Sequence, residues 1–266
     1  MLPTLEVGET IYSWCASVHR RTCSLSSIAI SQALFGHPYV ARQHDFSGHI
    51  GELCRRTVGL LGGPEELVLH HSLLGYFLAF APKDRSSSLL AAVVNSSVPD
   101  IKMRLGILGS GVPGYHPLKC CPQCWLSDVQ TYGWPIWHLE HQLPSVLVCR
   151  RHQRPLVFHW DPVAPMRYSE WVKPSVGPSP RHFEISIVDE QTLDLLLRLA
   201  DFSVKAAAMP PSSILGDRLA GTYQTWAAKN YGMSSGHCLR HPIMVRELKP
   251  AFDRISSSFL AMGPVA

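Results

Sequence analysis

Apolar positions in the first hundred residues recur at helical spacing. Ile11, Trp14, Cys15 and Val18 fall on one face of a helix that Thr10 can cap. Residues 20–23 form a short break, after which Ser24 can cap a second helix that turns Leu25, Ile28, Ala29, Ala33 and Leu34 inward. Gly36 and Pro38 end it, a left-handed stop followed by a breaker. Two short helices with a tight junction fit either a helix-turn-helix or an ordinary hairpin in a bundle. A third helix is expected over residues 48–61. After the Gly62-Gly63-Pro64 break a fourth begins with Glu65 and Glu66 at the positive end of its dipole. It carries Leu67, Leu69, Leu73, Leu74, Phe77 and Leu78 as far as about Phe80, and residues 88–95 offer a further short helix.

The pattern then changes. Residues 106–117 hold Gly106, Gly109, Gly111, Gly114, Pro113 and Pro117 and read as a loop at a module boundary. Residues 118–160 are compact and rich in Cys, Trp and His. Prolines at 162, 165, 174, 178 and 180 mark an extended connector. Helical stripes return beyond it: Leu193, Leu196, Leu197 and Ala200; then Leu219, Tyr223, Trp226 and Ala227 before Gly232; then Leu248, Phe252, Ile255 and Phe259. The expected fold is mainly α. It comprises an N-terminal helical, helix-turn-helix-like domain (1–110), a small Cys3His zinc-finger module (111–161), a proline-rich connector (162–180) and a C-terminal helical domain (181–266). No internal repeat or low-complexity tract interrupts this order.

Composition narrows the picture slightly. The hydrophobic share is 46%, ordinary for a globular protein, while charged residues are only 17%, which hints at surface covered by partners. A net charge of +4 does not identify a nucleic-acid binder, but it permits a local basic patch. The N-terminus lacks the basic and apolar regions of a secretory signal. The most apolar stretch, residues 73–81, is about half the length of a membrane span. A cytoplasmic location and no membrane partner are therefore expected. Four of the eight cysteines lie between 120 and 149, and clustered CxxC spacing in such a chain favours metal over disulfide.

The metal reading rests on Cys121-Pro122-Gln123-Cys124 and, twenty-four residues later, Cys149-Arg150-Arg151-His152. A CxxC turn aims two thiolates at one ion, and a CxxH pair completes the sulfur-rich tetrahedron that zinc prefers. One structural zinc ion (Zn2+) held by Cys121, Cys124, Cys149 and His152 is the expectation. Cys120 is an alternative to Cys121, although the register from 121 matches the knuckle better. A redox CxxC would need a βαβ context, and here a Gly/Pro-rich loop precedes the motif. His138-Leu139-Glu140 resembles the H-x-E of zinc deaminases, but it follows the cysteines instead of preceding them. A closed four-ligand shell would leave no place for a catalytic water, so no catalytic residue is expected. His138 and His141 are expected to pack or hydrogen-bond around the finger. Trp125, Tyr132, Trp134, Trp137 and Leu143 are expected to form mostly its small core, with a stacking or partner surface as the other reading. Arg150, Arg151 and Arg154, like Arg20 and Arg21, fit either a solvated positive face or contact with phosphate.

The run Leu118-Lys119-Cys120-Cys121-Pro122-Gln123-Cys124, with Asp128, Tyr132-Gly133, Trp137-His138, His141-Gln142-Leu143-Pro144, Val148-Cys149-Arg150-Arg151-His152 and Leu156, resembles the zinc-finger region of the TniQ family, particularly its TnsD-like members. Pro3, Glu9, Tyr12-Ser13-Trp14 and Arg20 look like that family's opening helix. Residues 71–80 with Pro82 and Arg85 look like its middle segment. The resemblance covers about residues 1–160. It implies a non-catalytic adaptor in a bacterial cytoplasm that selects target sites for DNA transposition. Its implied partners are a transposon AAA+ ATPase and either target DNA or an RNA-guided CRISPR effector complex, with a homo-oligomer also allowed. It also favours a helix-turn-helix over residues 10–35. The main alternative is a sequence-specific helix-turn-helix and zinc-finger DNA-binding regulator. No second finger is expected, because His237, Cys238 and His241 lack a partner CxxC.

Overall fold

The computed structural model describes residues 2–23, 26–40, 44–96, 98–107, 116–159, 171–177, 179–187, 189–214, 216–231, 249–251, 253–254 and 263–265. The fold is mainly α. Helix α1 (Ile11–Thr22) starts where Thr10 predicts, with the Thr10 hydroxyl accepting the Ser13 amide at 3.1 Å. Its first two turns, from Ile11 to Val18, are buried on every side. The helix runs through Arg20 and Arg21 to Thr22, later than the expected break at residue 20, and Cys23, with a φ of 53°, caps it.

Helix α2 (Ser27–Phe35) is capped by Ser26 and not Ser24. A two-residue shift in the cap turns the face by about 200° at 3.6 residues per turn. Ile30, Ser31, Leu34 and Phe35 face inward, while Ile28 and Ala33 are exposed. Ser24 and Leu25 lie outside the described residues. Helix α3 (Ile50–Arg56) is shorter than its pattern suggests.

The fourth expected helix is two: α4 (Pro64–His71) and α5 (Leu74–Phe80). The Ser72 hydroxyl bonds to the Val68 carbonyl and caps the Leu74 amide, so it interrupts the backbone ladder within an unbroken apolar run. The turn is tight enough that a Cβ on Gly75 would meet the Leu69 carbonyl oxygen at 2.2 Å. Helix α6 (Lys83–Asn95) begins five residues earlier than expected, directly after Pro82, and α7 (Ile101–Arg104) is a single turn. Most of the 106–117 loop lies outside the described residues.

Strands appear that the sequence pattern did not mark, four of them within the expected finger module. β1 (Leu118–Cys120), β4 (Val157–His159), β5 (Ser179–Glu184) and β6 (Gly263–Val265) form one antiparallel sheet in that order. β2 (Val148–Cys149) and β3 (Arg154–Pro155) form a small hairpin. β5 has no hydrophobic alternation, and its Pro180 falls in a register shift between Ser179 and Phe183, the kind of irregularity where a strand tolerates proline. Helices α8 (Pro122–Tyr132) and α9 (Leu139–Gln142) complete the finger.

Residues 171–177 form neither helix nor strand and are pinned between α1 and the finger. Trp171 packs against Tyr12 and Phe35. The Val172 amide donates to the Tyr12 hydroxyl at 3.0 Å, and its carbonyl accepts the Trp137 indole at 2.8 Å. Pro174 accepts the Trp125 indole at 3.1 Å. A second seam joins residues 8–10 to 137–139: Thr10 N–H to the Trp137 carbonyl at 3.0 Å, Leu139 N–H to the Gly8 carbonyl at 2.7 Å, and Trp137 N–H to the Ser13 hydroxyl at 2.9 Å. Glu9 lies within this seam, accepting from the Ser13 hydroxyl at 2.7 Å. Burial raises its carboxyl to about 7.

Helix α10 (Glu190–Ala207) is capped by Asp189, buries Leu196 and Ala200, and packs on both α5 and β2. Buried residues from α1 to α10 consequently form one continuous core. Helix α11 (Gly216–Tyr231) carries the next stripe, of which Ala227 is buried, Leu219 half-buried, and Tyr223 and Trp226 exposed. Leu248, Phe252, Ile255 and Phe259 lie outside the described residues. No described helix is long and apolar enough to cross a membrane.

Candidate metal centre

Each half of the site is built by a short local motif. Cys121 occupies the N-cap of α8, Pro122 follows at the first helical position where its missing N–H costs nothing, and Cys124 comes round one turn later. The Cys121 sulfur accepts the backbone amides of Gln123 and Cys124. The second half sits on the β2–β3 turn. There Gln153 adopts a φ of 49° and returns its amide to the Cys149 carbonyl at 2.7 Å, while the Cys149 sulfur accepts the His152 amide. Amides aimed at sulfur favour the thiolate form, which is the form that binds metal.

The structure brings Cys121, Cys124, Cys149 and His152 together, with one ligand atom from each lying within 4.8 Å of all the others. His152 Nδ1 is 3.4 Å from Cys121 Sγ, 3.4 Å from Cys124 Sγ and 3.5 Å from Cys149 Sγ, and the Cys124 and Cys149 sulfurs are 3.7 Å apart. A tetrahedron with ordinary zinc–sulfur and zinc–nitrogen bonds has edges of about 3.8 Å between sulfurs and about 3.6 Å between sulfur and nitrogen. The donor set therefore fits a four-coordinate ion.

Electrostatics point the same way. Hydrogen bonds from Cys124 and Cys149 hold the Cys121 thiol well below its usual range, and the contacts with Cys121 push Cys124 and Cys149 up. Three buried thiols this close cannot all ionise without a cation, and a divalent ion resolves that conflict.

Several residues around the ligands fix their spacing. The Gln142 side chain pairs with both main-chain groups of Lys119, at 2.9 and 2.8 Å. Lys119 Nζ, buried and pushed down to about 7 by desolvation, donates to the Leu143 and Val146 carbonyls at 2.7 and 2.8 Å. These bonds tie the strand entering the first knuckle to the segment entering the second. The sequence alone did not suggest this role; a lone lysine beside a cysteine pair reads as surface. Asp128 accepts the Ile136 amide at 3.2 Å and the His138 ring at 3.0 Å, so His138 turns away from the cysteines. His141 is buried with Nε2 4.0 Å from Cys124 Sγ.

The aromatic residues divide. Trp137 and Leu143 are buried, whereas Trp125, Tyr132 and Trp134 are half-buried. Cys120 is buried but faces His159, 3.5 Å from its Nε2. His237, Cys238 and His241 lie outside the described residues.

The arginines divide as well. Arg150 pairs with Asp201 at 2.7 Å and with Glu140 at 3.6 Å, joining the finger to α10, and Arg154 approaches Glu184 at 4.0 Å. Arg20, Arg21 and Arg151 are exposed.

With this geometry in place, comparison with known proteins is informative. The TniQ family model matches residues 1–156, a stretch that includes all four clustered ligand residues. The transposon Tn7 transposition protein TnsD of Escherichia coli is 22% identical over 255 residues, covering 92% of this chain and 48% of that relative. The chain thus spans about half the length of the curated relative it matches.

Proposed function

Because the chain belongs to the TniQ family, we propose that it is a non-catalytic adaptor for target-site selection in DNA transposition, linking target DNA or a DNA-bound guide complex to a transposon AAA+ ATPase. The observation that carries this reading is the family match over residues 1–156, supported by similarity to a transposon transposition protein across 92% of the chain. The adaptor works in the bacterial cytoplasm. Its metal is a single structural zinc held by the sulfurs of Cys121, Cys124 and Cys149 and by His152 Nδ1. A shell filled by four protein ligands offers a substrate no open position, so the ion's contribution is folding energy. The pinned seams from the finger to α1 make that folding energy count for the platform as a whole.

The adaptor reading is tested by tethering a target duplex to beads and measuring how much of the cognate AAA+ ATPase is retained in the presence of ATP. Retention should rise at least tenfold when this protein is added. Equal retention with and without it, at protein concentrations that saturate the duplex, overturns the reading.

A further inference from the structure

Two cations meet at one half-buried indole near the C-terminal end of α1, and a third is next to them in sequence. The Arg21 guanidinium lies 4.5 Å from the centre of the Trp134 ring, and Lys173 Nζ lies 5.6 Å from the same ring. Arg20 is adjacent and exposed. The cations come from α1 and the 171–177 segment, and the indole from just past the end of α8. Gly133, with a φ of 81°, ends α8 and swings Trp134 out to meet them.

The helix dipole accounts for arginines in the last turn of α1. It does not account for Lys173. That ammonium is partly desolvated and lowered to about 8, and both Arg20 and Arg21 push it further down. It is held in place by a 2.7 Å bond to the Ser17 hydroxyl. No ion pair among the described residues involves Arg20, Arg21 or Lys173. The carboxylate that acts on Lys173 is Glu9, which is buried and already engaged by the Ser13 hydroxyl and the Glu6 amide. Cations held together against their own repulsion, in no ion pair among the described residues and offset only by the buried Glu9, make a site for an external anion. A guanidinium seated over an indole face has N–H edges to offer for the bidentate contact that phosphate accepts.

We propose that Arg20, Arg21 and Lys173, organised around Trp134, form a clamp for the phosphodiester backbone of duplex DNA. This deepens the adaptor reading and rests on it for the choice of nucleic acid over an acidic protein. The clamp reads charge and spacing, not bases, so it fixes register on the duplex without selecting a sequence. It assembles only when the finger, α1 and the 171–177 segment are folded against one another.

The test is fluorescence anisotropy of the whole protein with a labelled 30-base-pair duplex of mixed sequence, titrated at several salt concentrations. Removing each cation should lower the slope of log K against log salt by about 1 for Arg21→Gln and for Lys173→Gln. Trp134→Leu, which keeps every charge but removes the platform, should keep the slope and weaken binding about two- to fivefold. Arg21→Lys should retain the wild-type slope and thereby separate charge from folding. Arg150→Gln, drawn from an arginine already paired to two carboxylates, should also leave the slope unchanged. Wild-type slopes in the Arg21→Gln and Lys173→Gln proteins, with native melting, would refute the clamp. A wild-type protein that binds no duplex would refute it too, leaving an acidic protein surface as the ligand. If ATPase retention fails while these slope differences persist, the adaptor reading falls and the clamp stands.

Discussion

Two clusters of cysteine and histidine lie back to back in the finger, separated by the Cys120–Cys121 peptide bond. On one side three sulfurs and the Nδ1 of His152 sit at tetrahedral spacing, with backbone amides aimed at the sulfurs. On the other, Cys120, His159 and His182 use the same residue types differently. Cys120 Sγ is within reach of His159 Nε2 and of the Ser175 carbonyl at 3.6 Å. The two imidazoles pack 4.2 Å apart, and His182 bonds to the Gly177 carbonyl at 2.7 Å and the Ser175 hydroxyl at 3.2 Å. Trp137 packs edge-on against His159. Residue type is therefore a poor guide to ligation. What separates the clusters is geometry: the polar atoms of the second bond to neighbouring main-chain and side-chain groups, whereas those of the first point at one another around a space that a cation fits.

The largest expected difference follows from that contrast. Cys149→Ser should take bound metal from one ion per chain to none. Because binding of a structural zinc is worth on the order of 10 kcal/mol of folding energy, the finger should lose its cooperative melting transition. Inductively coupled plasma mass spectrometry beside differential scanning calorimetry reads both. Full metal content with native melting in this variant would remove the distinction between the two clusters.

A smaller effect sharpens the comparison from the other side. Burial, with repulsion from His182, holds His159 at about 3, well below the usual value near 6.5. Below about pH 6.5 the unfolded chain takes up a proton that the native ring refuses. The stability tied to a neutral His159 is thus complete above pH 6.5 and drains away as pH falls toward 3. Its neighbours among the described residues include His182, Cys120, Trp137 and the Ser175 carbonyl. Between pH 7.5 and 5.5 the wild type should lose about 1.4 kcal/mol more stability than His159→Phe. Urea unfolding at the two pH values, with metal content confirmed at each, gives the number. Parallel losses in the two proteins would mean that His159 is protonated in the folded state.

The contrast also explains what could be read from the sequence. The ligand cluster is made of two local motifs whose chemistry is carried by spacing, so Cys121, Cys124, Cys149 and His152 stood out before any fold was known. Thr10, and Glu65 with Glu66 after the Gly62-Gly63-Pro64 break, marked helix starts for the same local reason. Where the cap fell two residues from its expected place, at Ser26 instead of Ser24, the helix face came out rotated. The division at Ser72 was hidden because the apolar run continues across it, and β5 was hidden because its pairing partners β4 and β6 lie far away in sequence. Charge was the least legible. Arg150 and Arg21 look alike in the chain, yet Asp201 neutralises the first from fifty-one residues away, while Trp134 supports the second.

The smallest expected effect concerns the two adjacent cysteines. Successive residues of a strand point to opposite faces, so Cys120 and Cys121 cannot both turn toward His152. β1 ends at Cys120, whose side chain enters the sheet side against His159, and Cys121 opens α8 toward the other knuckle. Cys120→Ala removes one buried sulfur from a packed apolar and imidazole environment, a change worth about 1 kcal/mol, and should leave one metal ion per chain. Cys121→Ala should abolish metal binding. The pair therefore separates register from composition: both variants delete one thiol from the same dipeptide, and only the position differs. Equal metal content in the two would show that the shell can be closed from either face of the strand. The backbone amides now directed at the Cys121 sulfur would then have no part in choosing the ligand.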